Sequence, residues 1–314
     1  MKIYILSLVS ALFVLLCGYL VPWTITPLII GLTYAIAALG ISVMLRAGQV
    51  SFGHAMYASV AAYSIAFISR MRPETDVIVL IVCSVVIATL FSALIGIFVV
   101  RYRGIFFGML NLALSMVLFA LTTKFYDITG GTDGIRVSRP TVAGIALERS
   151  AFEFTLMCIA LAGSLLIAWA VQRYFRSGNG QALAAIKTNE TRLEYLGISP
   201  RHVLWKGYIL SGAVVGFSGA ILALVQGLVT PDVGTWLRSA EYVYITILGG
   251  AAHVSGAFIG AAIFETVKLI SSAYFPGFWQ AILGLTLILV IFVVPNGVVG
   301  QIMRKHQLKR AWGR

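Results

Sequence analysis

The chain has 314 residues, of which 60% are hydrophobic and 11% charged, with a formal net charge of +12. A soluble domain carries about 25% charged residues, so an ordinary soluble fold is excluded and an integral membrane protein with many spans is implied. The apolar runs are too long and unbroken for an outer-membrane barrel, and the basic residues lie between apolar runs and at the C-terminus, which speaks against a nucleic-acid partner.

A helical crossing needs about 20 apolar residues. On that measure the chain predicts spans near 3–21, 27–45, 55–70, 77–100, 104–124, 153–175, 204–226, a broken region 241–272, and 278–297. The stretch Ile3 to Leu20 has the look of a signal peptide but lacks a clear small-x-small cleavage site before Pro22, so a retained first helix is expected. Cys17, Cys83 and Cys158 each sit inside an apolar run without metal spacing and read as small buried hydrophobes.

Charge assigns the sides. Arg101 and Arg103, the segment 173–206, and the tail with Arg304, Lys305, Lys309, Arg310 and Arg314 are rich in cations and are expected in the cytoplasm. Segments 70–76 and 125–152 balance acids against bases and read as external. The expected fold is an all-α polytopic bundle of about 8–10 transmembrane helices with broken or re-entrant segments. Residues 1–303 form one membrane domain, 304–314 a basic tail, and both termini are cytoplasmic in this reading.

Leu45 to Ala55 interrupts apolar helix early, and Leu248 to Gly256 does so late; each sets Gly, a His and a Val-Ser pair between hydrophobic arms. Glycine-interrupted segments of this kind point to a transporter's central pathway. Gln49, Ser51, Gly53 and His54 at the first break, and His253 and Ser255 at the second, would line that pathway, brace its walls or cap helix ends. Asn111, mid-run in an apolar helix, needs a neighbouring partner or the pathway itself. Glu265 and Lys268, three apart, are expected to pair as interfacial anchors.

Small residues at four-residue spacing, Gly212, Gly216 and Ala220, then Gly256 and Gly260, mark close helix contacts. The glycine-rich run 129–134 lacks the Gly-Lys-Ser/Thr ending of a phosphate-binding loop and reads as an external turn. No metal cluster, nucleotide site or catalytic constellation is apparent in the sequence.

The segment 177–200 is a charged island. Gly178-Asn179-Gly180 opens it, Gly197 and Pro200 close it, and Ala182, Ala185, Ile186, Leu193 and Leu196 recur at helical spacing. About four turns of amphipathic helix are expected, either lying on the membrane surface or docking a soluble partner.

These motifs together resemble the branched-chain amino acid (leucine–isoleucine–valine) permease family of ABC importers, of the M type. The resemblance is carried by 47–55 (AGQVSFGHA), by Arg103 to Phe107 with 129–134, by 180–186 (GQALAAI) with Asn189-Glu190 and 194–198, and by Ile247 to Gly250 with Pro295-Asn296-Gly297. The chain departs from the family pattern at Gln181, where a basic residue is usual, and over 250–256, which leaves urea or short amides open as substrates. The resemblance implies a bacterial inner-membrane subunit that pairs with a homologous second permease and receives substrate from a periplasmic binding protein. It implies no cofactor in this chain, because ATP and Mg would be bound by two cytoplasmic ATPase subunits. Gly180, Gln181, Ala182, Ala185, Ile186, Glu190, Glu194 and Gly197 would form the loop that couples to those ATPases. A secondary transporter is the alternative and would need ionisable residues within the membrane; a membrane enzyme would need a catalytic cluster.

Overall fold

The computed structural model describes residues 14–294 and 297–301. The start of the first predicted span, Pro295-Asn296 and the basic tail lie outside the described residues. Residues 14–20 are helical. They lead to α1 (Ile25–Arg46), α2 (Ala55–Met71), α3 (Val77–Val99), α4 (Gly104–Lys124) and α5 (Arg149–Arg176). Then come α6 (Gly178–Thr188), α7 (Glu190–Tyr195), α8 (Pro200–Gln226), α9 (Trp236–Gly249), α10 (Val254–Tyr274) and α11 (Trp279–Val293). The protein is an all-α polytopic membrane bundle. Among the described residues six helices are long and apolar enough to cross a membrane: α1 with the preceding turn, α3, α4, α5, α8 and α10.

Local chemistry sets the ends. Asp76 accepts a hydrogen bond from Ile78 N at 2.8 Å and starts α3. Pro200 occupies the first turn of α8, where its missing N–H costs nothing, and Gly227 ends that helix at φ +65°. The region 241–272 breaks as expected, but its first arm begins earlier, at Trp236, where Thr235 caps Arg238 N at 3.4 Å. The break itself is Gly250, at φ +97°.

The centre of the bundle is α8, packed against α1, α2 and α3. Gly212 and Gly216 meet Ser92 and Ala88 of α3 so closely that a Cβ would lie 2.3 and 2.6 Å from their Cβ atoms. Polar groups are satisfied across the same contacts: Ser211 Oγ donates to Gly40 O at 2.7 Å, and Ser218 Oγ to Thr33 O at 2.8 Å. Outward faces remain apolar, with Leu90 and Leu94 of α3, Ile105 and Phe106 of α4, and Leu166 of α5 exposed, as lipid-facing surfaces require. The cysteines depart from expectation: Cys83 is exposed on α3, and Cys17 and Cys158 are half-buried.

The loops separate onto two ends. At one, Val77 N donates to Thr141 O, Ala143 N donates to Asp76, and the two-residue strands β1 (Ile135–Arg136) and β2 (Leu228–Val229) pair antiparallel. At the other, Arg103 meets Glu190, Arg46 reaches Gly180 O, and Arg201 reaches Ile97 O. Among the described residues the loops group as their charge predicts; the basic tail, expected with the second group, lies outside them.

Candidate functional site

The first break has a defined structure. After Arg46 the chain turns at Gly48, with φ +75°, continues without regular secondary structure, and starts α2 at Ala55. Gln49 does not stand free. Its Oε1 accepts from Gly104 N at 2.8 Å, so it caps the start of α4. Ser51 Oγ lies 2.6 Å from His54 Nδ1, and both residues are fully buried. Gly53 lies so near α4 that a Cβ would fall 2.0 Å from Asn111 O, which explains glycine there.

Asn111 belongs to a buried chain across three helices. Tyr57 of α2 donates its hydroxyl to Tyr208 of α8 at 2.5 Å, Tyr208 donates to Asn111 Oδ1 at 2.6 Å, and Asn111 Nδ2 donates to Phe107 O at 2.8 Å. His54 packs edge-on against both tyrosine rings, and its Nε2 has no partner among the described residues. The predicted polar residues Gln49, Ser51, His54 and Asn111 thus converge on one seam. The two tyrosines of that seam carry no sequence signal, since a tyrosine in an apolar helix resembles ordinary core.

The second break joins α9 to α10. A Cβ on Gly256 would lie 2.3 Å from Gly250 O, and one on Gly260 would lie 2.3 Å from Ile245 O, so the two arms touch backbone to backbone. Ser255 is exposed at the first turn of α10.

The segment 177–200 is two helices rather than one. Asn189, at φ −161°, interrupts it and accepts from Arg192 N at 3.2 Å to start α7. An asparagine that caps its own third neighbour competes with helix continuation. The apolar stripe also faces elsewhere than a docking helix would suggest: Ala182, Leu183, Ile186 and Leu193 are buried against the bundle, and Ala185 is half-buried. What this region presents outward is polar and charged, with Lys187, Glu194 and Gln181 exposed, plus Tyr195 and Leu196 at 87% and 74% exposure.

Three contacts tie this segment to the first break. Arg46 Nε donates to Gly180 O at 3.3 Å while its guanidinium stacks 4.6 Å from the Phe175 ring centroid. Gly48 lies under Lys187, whose Cγ would be 3.1 Å from an added Cβ. Arg103 grips Glu190 with Nε at 3.1 Å from both carboxylate oxygens and Nη2 at 2.7 Å, and the next residue, Gly104, holds Gln49.

One cluster escaped the sequence reading. Lys268 pairs with Glu241 at 3.2 Å rather than with Glu265; Arg238 lies 3.6 Å from the same carboxylate. Tyr34 of α1 donates to Glu241 Oε2 at 2.9 Å and receives hydrogen bonds from Lys268 Nζ at 3.0 Å and from Arg238. The partner of Lys268 lies 27 residues away on another helix, beyond the reach of a local spacing rule.

A family model described as branched-chain amino acid transport system / permease component matches residues 24–291. The high-affinity branched-chain amino acid transport system permease protein LivM of Escherichia coli (strain K12) is 27% identical over 298 residues, covering 88% of this chain and 69% of that relative. The corresponding permease protein LivH of the same organism is 25% identical over 289 residues, covering 87% and 92%. The autoinducer 2 import system permease protein LsrC of Klebsiella pneumoniae is 23% identical over 187 residues, covering 57% and 51%. No solved structure matches the chain.

Proposed function

The chain belongs to the branched-chain amino acid transport permease family, and on that premise we propose that it is one permease subunit of an ATP-driven importer for branched-chain or related amino acids. A homologous second permease completes the pathway, a periplasmic protein delivers substrate, and two ATPase chains supply the energy. Residues 1–303 act as one permease domain with 304–314 as a basic tail. The end that carries Arg46, Arg103 and the 177–200 segment is cytoplasmic, in keeping with the excess of cations there.

The observation that carries this reading is the mechanical join between segment and seam. Gly180, Gln181, Ala182, Ala185, Ile186, Glu190, Glu194 and Gly197 form the element an ATPase would push. Push on that element, and Arg46 and the Arg103–Glu190 clasp move the ends of α1 and α4, between which Gln49 is held. Gln49, Ser51, Gly53, His54 and Asn111 then brace one wall of the pathway, with Ser255 at the second break. Gly212 and Gly216 keep the packed centre rigid, and Gly256 and Gly260 lock the two arms of the second break together, so motion concentrates at the first break. The exposed Tyr195-Leu196 pair and its charged surround present an anchor and an orienting rim to the ATPase.

Reconstitution tests the proposal. Vesicles holding both permeases and the ATPases, with binding protein outside, take up labelled leucine only when ATP is inside. Ionisable groups within the bundle also suit an ion-driven transporter; uptake by this chain alone, driven by an ion gradient without any ATPase, would establish that second reading and refute the first.

A further inference from the structure

Four ionisable side chains of α9 and α10 gather around Tyr34 well inside the helical bundle. Glu265 and Lys268 sit about 14 and 9 Å along α10 from its end at Tyr274, and Tyr34 sits about 14 Å along α1 from Ile25, at 1.5 Å per residue. Charges at such depth are costly against lipid and in membrane proteins face a bundle interior or a water-filled cavity. Yet the side chains of Arg238, Glu241 and Lys268 keep 21%, 14% and 24% of their surface accessible. Their open side therefore faces away from lipid, as the wall of a pathway would.

The cluster is neutral in sum but uneven in its bonding. Glu241 is served by Arg238, Lys268 and Tyr34 together. Glu265 lies on the same face, against Gly31 of α1, and its Oε2 is buried with no donor among the described residues. One carboxylate has a surplus of donors and the other lacks one. A zwitterion corrects both. Its ammonium gives Glu265 the missing donor, and its carboxylate shares the cations now concentrated on Glu241. Trp279, whose ring centroid lies 5.4 Å from Lys268 Nζ, adds an apolar surface beside the charges.

We propose that Tyr34, Arg238, Glu241, Glu265 and Lys268 form a transient binding station on the pathway wall for the ammonium and carboxylate groups of an α-amino acid. The proposal rests on the permease reading above and adds to it a place where substrate touches this chain. Two measurements on the reconstituted complex test it. Glu265→Gln preserves shape and removes the charge; leucine uptake falls at least tenfold while the thermal midpoint stays within about 2 °C. In a complex whose native cysteines are replaced, the Lys268→Cys variant reacts with a membrane-impermeant cationic thiol reagent, and leucine-loaded binding protein slows that reaction several-fold; a purely structural ion pair gives no such protection. Wild-type uptake rates with Glu265→Gln, or a Lys268→Cys variant whose new thiol never reacts, overturn the station and leave the permease reading intact. If the wild-type complex itself fails to take up leucine, the permease reading fails first.

Discussion

Glu190→Gln isolates the clasp between the segment and α4. The substitution keeps the shape of the side chain and removes its charge. Arg103 contacts both oxygens of Glu190, but the two side chains are 30% and 33% exposed, so solvent screens them. Pairs exposed to this degree contribute about 1 kcal/mol or less to stability. A loss of that size moves an equilibrium about fivefold, since about 1.4 kcal/mol is tenfold. The fold should therefore survive with a thermal midpoint lowered by at most a few degrees. Coupling should suffer more, because the clasp is one of two polar ties from the segment to the first break. Leucine transported per ATP hydrolysed, measured in proteoliposomes, is expected to drop by up to about fivefold by the same arithmetic. The exchange Arg103→Glu with Glu190→Arg should restore most of it. An unchanged ratio in Glu190→Gln would refute the clasp as a transmission element, and so would a variant that unfolds outright.

Tyr208→Phe removes the middle link of the Tyr57–Tyr208–Asn111 chain and leaves a donor and an acceptor unpaired in the core. Interhelical bonds in membranes average about 0.6 kcal/mol each, and stranded buried groups cost about 1–3 kcal/mol, so denaturation in mixed micelles should show a loss of about 1–3 kcal/mol. The double variant with Tyr57→Phe should cost less than the sum of the singles, and strict additivity would contradict a shared chain. Gly219→Ala places a Cβ 2.2 Å from Ala58 O, backbone that has nowhere to go; a loss of about 3 kcal/mol is expected from overpacking, read as reduced yield of folded protein, and tolerance would contradict the contact. Ala185→Glu, at a half-buried position on the segment, should leave the protein inserted while ATP hydrolysis proceeds without uptake; wild-type uptake per ATP in that variant would count against a coupling role for α6.

Strong periodic signals carried most of the architecture. Long apolar runs located α1, α3, α4, α5 and α8 to within a few residues, because in lipid a backbone must bond to itself and few alternatives exist. Gly249-Gly250 marked the second break for the same reason. Gln49, Ser51, His54 and Asn111 stood out as polar groups in apolar surroundings, and they do assemble at one seam. Other features depend on distant partners. The stripe Ala182, Ile186, Leu193 has the same periodicity whether it meets a partner protein or its own bundle, and the bundle takes it. Lys268 and Glu265 are well spaced for each other, yet Glu241 wins because α9 folds back along α10. Arg238 and Glu241 lie close to a turn in the sequence and gave no sign that Tyr34 would enclose them. Asn189 has the propensity to cap, and its local bond to Arg192 N outweighs the helical spacing of its apolar neighbours.

The central claim is that energy released in a separate chain enters this one through the segment 177–200. A photo-reactive amino acid at Tyr195, the one aromatic of that segment and 87% exposed, tests it directly in native membranes. The account predicts a cross-link to a nucleotide-hydrolysing subunit, with a yield that changes between ATP-bound and nucleotide-free states. A Tyr195 position reached only by reagents added outside the cell, or one that never cross-links to such a subunit in an actively transporting complex, would contradict it.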